Sequence, residues 1–104
     1  MGVLRIHCGT IEKGVSLHIH HDGEADLVDD EENTKRGWIR DWTRAAIKST
    51  RGNDCRLRII EPHDYLTEYE HQGLLVRGFY RVVETVNNTE QAREAWRAFK
   101  EDPE

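Results

Sequence analysis

The sequence predicts an α+β domain on three observations. Apolar residues alternate with polar ones in several short runs, two longer segments carry them at helical spacing, and Gly, Asn or Pro stands between most of these segments. The expected order is β-β-β-α-β-x-β-α: one domain over residues 1–104, with a mainly antiparallel sheet and two helices packed on one face.

Leu4, Ile6 and Cys8 alternate with Arg5 and His7, and Val15, Leu17 and Ile19 alternate with Ser16, His18 and His20, so the first two runs read as strands joined between Gly9 and Gly14. A third strand over 24–28 follows the turn His21-Asp22-Gly23. That turn sets a register in which His20 lies opposite Glu24 and His18 opposite Asp26. The three strands are expected to form a meander with Leu4, Ile6, Cys8, Val15, Leu17, Ile19, Ala25 and Leu27 on one side.

Asp29, Asp30, Glu31 and Glu32 then suit the start of a helix expected over about 34–49. Trp38, Ile39, Trp42, Ala45 and Ala46 fall at helical spacing and would pack on the sheet. Cys55, Leu57 and Ile59 form a strand that stops before Pro62. Residues 63–72 fit a short helix or a strand equally. The run from Leu74 to Val86 is a long strand in which Gly78 marks a bulge or the close approach of another backbone. The last helix is capped by Asn88 or Thr89 and buries Ala92, Ala95, Trp96 and Phe99, at i, i+3, i+4 and i+7.

The chain combines 37% hydrophobic with 34% charged residues, contains no apolar run of membrane-spanning length and opens without a signal-peptide core, which predicts a cytoplasmic protein with no membrane partner. Cys8 and Cys55 are far apart and read as reduced core residues. A net charge of −5 opposes general affinity for nucleic acid or anionic membranes.

Two constellations stand out. On the hairpin, His18, His20 and Glu24 share a face and offer two imidazoles and a carboxylate, a set suited to one transition-metal ion. They resemble the first half of the cupin metal motif, and the resemblance covers this hairpin alone: the motif's second half, a Pro-x-Gly turn followed by His, has no counterpart, since Pro62 precedes His63-Asp64. The second is Arg36, Arg40, Arg44 and Lys48, four apart, which would draw a basic stripe along the first helix beside the acidic run Asp29 to Glu32. Phosphate loops, nucleophile elbows and paired-cysteine motifs are missing from the sequence.

The function these features predict is a small acidic module that binds a protein partner through the two charged zones and acts as an inhibitor or regulator. In size and charge it is analogous to phage anti-defence and immunity proteins. It needs no cofactor, and a second copy could cover its sheet. Two alternatives stay open: a metal-binding protein or metal-dependent enzyme built on the hairpin, and a nucleic-acid regulator using the basic helix face.

Overall fold

A computed structural model describes residues 2–10, 16–20, 24–28, 34–38, 42–71 and 74–101. Its elements are β1 (Gly2–Thr10), β2 (Ser16–Ile19), β3 (Glu24–Val28), β4 (Thr34–Trp38), β5 (Trp42–Arg51), β6 (Asp54–His71), β7 (Leu74–Val86) and α1 (Thr89–Glu101). The strands form one seven-stranded sheet in the order β1-β5-β6-β7-β2-β3-β4. The sheet is mixed: β1 runs parallel to β5 and β2 parallel to β7, and the other neighbours are antiparallel.

This architecture corrects the expected α+β arrangement with two helices and a mainly antiparallel sheet: the described chain is mostly strand and carries one helix, at its C-terminal end. The segment expected as a helix over 34–49 forms β4 and β5 instead. The cause is burial on both faces. Ala45 and Ile47 enter one core and Ala46 the other, so β5 loses the polar alternation that normally distinguishes a strand. A spacing of four also keeps residues on one face of a strand as well as of a helix, so Arg44 and Lys48 remain together under either reading.

The N-terminal meander is corrected as well, since β1 pairs with β5 and lies at the end of the sheet away from β2. The facial assignment nevertheless holds for Leu4, Leu17, Ile19 and Ala25, which share one core with Trp42, Ala45, Ile47, Ile60, Leu74, Val76 and Tyr80, with Ile6 and Leu27 packed against it. Six strands contribute to that cluster, so the sheet curls around it. Inside it the Tyr80 hydroxyl donates to the Val76 carbonyl at 2.8 Å, and burial pushes the phenol far above its ordinary pKa despite the nearby Arg58 guanidinium. The ambiguous segment 63–72 resolves as strand through His71, the last of its residues in β6. Arg58 and Tyr69 lie eleven positions apart on β6, about 36 Å on a straight strand. The hairpin bends where the register shifts between Pro62 and Leu66, and the Arg58 guanidinium carbon lies 4.5 Å from the Tyr69 ring centre.

Gly78 answers the question posed by its position. It pairs with Ile19 across the parallel β2–β7 contact, and a Cβ there would overlap the Ile19 carbonyl oxygen and lie 2.7 Å from the Ile19 Cβ. It is a point of close backbone approach. At the β5–β6 turn Gly52 takes φ 61°, in the left-handed region that glycine enters without a Cβ clash.

The second core lies on the opposite face of the sheet. Ala46, Cys55, Leu57 and Ile59 meet Ala92, Trp96 and Phe99 of α1, with Val3, Val86 and Ala95 at its edge. The helix begins as its sequence suggests: the Gln91 amide donates to the Asn88 side-chain oxygen at 3.1 Å, and the Thr89 hydroxyl accepts from the Cys55 amide at 3.3 Å, tying the helix start to β6. Among the described residues no helix is long and apolar enough to cross a membrane.

Candidate functional site

The face of the sheet beneath α1 is set by alternation. Val3, Arg5 and His7 of β1 pair with Arg44, Ala46 and Lys48 of β5, so four cationic or imidazole side chains, Arg5, His7, Arg44 and Lys48, flank the small Ala46 at the helix contact. Toward the end of the helix, the Arg5 guanidinium donates to the Phe99 carbonyl at 3.4 Å, and the guanidinium carbons of Arg5 and Arg44 lie 5.7 and 4.9 Å from the Phe99 ring centre. Cations there complement the negative end of the helix dipole.

At His7 and Lys48 the sheet and helix diverge into a groove of about 610 Å³. His7 and Lys48 line it from the sheet, and Arg93, Trp96, Arg97, Lys100 and Glu101 line it from α1. Trp96 is 8% exposed and forms the floor rather than a free stacking platform. Its ring lies 6.1 Å from that of His7 and 5.5 Å from the Lys48 ammonium nitrogen. Arg93 is steadied by donating to the Asn53 carbonyl at 3.3 Å. The groove concentrates positive charge on a chain of net charge −5, with Glu101 the one acidic lining residue among the described residues.

His7 registers that potential. Burial, then the charges of Lys48 and Lys100, lower its pKa from the ordinary 6.5. The folded protein therefore binds this proton less readily than the unfolded chain. The associated stability is present above pH 6.5 and is lost as pH falls through the lowered value. We expect His7→Gln to lose less of its denaturation midpoint than the wild type between pH 7.5 and pH 5; identical losses would show that His7 does not carry this acid sensitivity.

Of the residues singled out in the sequence, Arg44 and Lys48 lie on the α1-facing side of β5, and Lys48 enters the groove. Arg36 belongs to β4, opposite Asp26, and is separated from β5 by four intervening strands in the sheet order, so no continuous stripe with Arg44 exists. Arg40 and the acidic run Asp29, Asp30, Glu31 and Glu32 lie outside the described residues.

The β2–β3 hairpin has the expected register, with His18 opposite Asp26 and the His20 amide donating to the Glu24 carbonyl at 2.7 Å. The side chains pair differently: His20 Nε2 lies 3.1 Å from Asp26 Oδ2, and His18 Nε2 lies 3.1 Å from Ser16 Oγ. In the backbone register Glu68 lies opposite Arg77, Arg77 opposite His18, His18 opposite Asp26 and Asp26 opposite Arg36, so Asp26 falls between an imidazole residue and a cationic one on neighbouring strands. Among the described residues no group of three His, Cys, Asp or Glu side chains is placed to hold a metal ion, Glu24 included.

The groove's helical side was missed in the sequence. Arg93, Arg97 and Lys100 follow the i, i+4, i+7 pattern that sets them along one flank of Trp96. That signal was present; its partner His7 was not recognisable because the β1–β5 pairing is long-range. No known family model matches the chain, and no characterised protein or solved structure is significantly similar to it.

Proposed function

We propose that this chain is a binding module that docks an acidic protein partner in the groove between α1 and the β1–β5 edge, and that it inhibits or regulates that partner by occupying its surface. One observation carries this reading: His7, Lys48, Arg93, Arg97 and Lys100 converge on one concavity of a protein whose net charge is −5. A local field of opposite sign to the molecule as a whole favours selective docking over general polyanion binding, because long-range repulsion discourages nucleic acid while short-range complementarity rewards a matched carboxylate surface. The buried free thiol of Cys55 suits the reducing interior of the cytoplasm.

The test compares a labelled Glu-rich peptide with a single-stranded oligonucleotide by fluorescence anisotropy. The peptide should bind the wild type, and Lys48→Glu combined with Lys100→Glu should weaken it about tenfold to a hundredfold, the attractions of a half-buried and an exposed lysine having been turned into repulsions. Tighter binding of the oligonucleotide with the same sensitivity would replace this reading by the nucleic-acid one, and equal peptide affinity in wild type and variant would remove the groove from the function.

A further inference from the structure

Among the described residues, the buried side-chain nitrogens and oxygens that find no hydrogen-bond partner belong to one residue, Arg58, whose Nε and Nη1 are both orphaned. A buried donor without an acceptor forfeits its bonds to water and gains nothing in return, and a charged donor forfeits more. Such a group calls for an acceptor from elsewhere.

Leu57 and Ile59 point to the core beneath α1, so Arg58 takes the other face of β6, where its register partner on β5 is Ile47 of the main core. Tyr69 shares that face through its register with Val76. Both side chains therefore stand at the rim of the main core, on the opposite side of the sheet from the cationic groove. The guanidinium carbon lies 4.5 Å from the Tyr69 ring centre, and that ring offsets part of the charge without supplying the oxygen acceptors that guanidinium N–H groups bind best. Tyr80 is near enough to feel the guanidinium, yet its hydroxyl donates to the Val76 carbonyl. Arg58 is not sealed in: the residue is half-buried, and the Tyr69 beside it is 42% exposed.

We infer that Arg58, with Tyr69 as its movable cover, forms a second binding site, for the carboxylate of a small organic acid or of a peptide chain end. A carboxylate is planar, carries one charge and accepts two parallel bonds from a guanidinium, so it satisfies orphaned donors and neutralises the cation together. A phosphate dianion exceeds what one guanidinium neutralises, on a chain whose net charge is already −5. The site is independent of the groove and of the acidic partner proposed for it.

The probe is benzoate, titrated into the whole protein and followed by the NMR signals of the Arg58 Nε–H and the Tyr69 ring. Both should shift and saturate with a dissociation constant of about 1 mM, the strength open to so small a ligand. Neutral benzamide, of nearly the same shape, should leave them in place, and inorganic phosphate should bind at least about tenfold more weakly than benzoate. Arg58→Lys keeps the charge but loses the planar fork and should weaken benzoate at least about tenfold, whereas Lys48→Glu with Lys100→Glu should leave its affinity within about twofold. An N-acetylated alanine tripeptide with a free C-terminus, set against its amide, distinguishes the sources. Tighter binding than benzoate assigns the carboxylate to a chain end, and weaker binding assigns it to a small acid. Benzamide shifting the Arg58 signal as far as benzoate, phosphate binding as tightly, or loss of benzoate binding in the double lysine variant would each overturn the site. So would the lack of a saturable Arg58 shift in the wild type, a result that needs no variant to fold.

Discussion

Gly78→Ala should destabilise the protein by at least about 3 kcal/mol, the upper end of what overpacking costs. In a chain of this size that lowers the melting temperature by more than about 12 °C. The added methyl has no space, because the nearest atoms belong to the Ile19 backbone and Cβ rather than to the end of a flexible side chain. Nor can the strand simply step aside. The β2–β7 pairing joins β2, β3 and β4 to the rest of the sheet, and Ile19, Leu17 and Ala25 enter the main core through it. Moving β2 away from β7 would open that core along its whole contact. Circular dichroism melts of wild type and variant measure the effect, and a Gly78→Ala protein melting with the wild type would show that the parallel contact is not as close as described.

The same residue shows what the sequence could convey. A glycine inside a run of Val, Phe and Tyr is anomalous locally, so the need for close approach was legible; the identity of the approaching strand was not. The hairpin register was likewise readable, because turn and alternation agree over neighbouring residues, and the C-terminal helix was readable because its cap and apolar stripe coincide. By contrast, the parallel pairings of β1 with β5 and β2 with β7 join residues roughly forty to sixty positions apart, and nothing local encodes them. The candidate groove inherits that division. Its helical cations lie in one periodic stretch, whereas His7 and Lys48 meet through a long-range contact on a strand whose two buried faces imitate a helix.

Trp96→Ala should cost about 3 to 5 kcal/mol, as expected for truncating a buried aromatic residue. The more telling outcome is where that energy is lost. Trp96 stacks on Phe99 with an interplanar angle of 13°, touches the His7 side of the sheet and lies over the core formed by Ala46, Cys55, Leu57 and Ile59. Much of what fastens α1 to the outer face of the sheet passes through this ring, and the main core is on the other face. The variant should therefore release α1 at a lower free energy than it unfolds the sheet. Cys55 is a direct reporter, since its free thiol is fully buried in the core beneath α1. If release of the helix governs reactivity, a loss of about 3 kcal/mol raises the rate of Cys55 alkylation by roughly a hundredfold. Mass spectrometry of the peptide containing Cys55 separates that signal from Cys8, and amide exchange should accelerate over 89–101 before it does in β6. The acidic peptide should lose affinity in parallel, because Arg93, Arg97 and Lys100 leave with the helix. Trp96→Phe, which retains a ring, should preserve most of both properties. Unchanged Cys55 alkylation in Trp96→Ala would show that the helix is held by other contacts and that the groove does not depend on its floor.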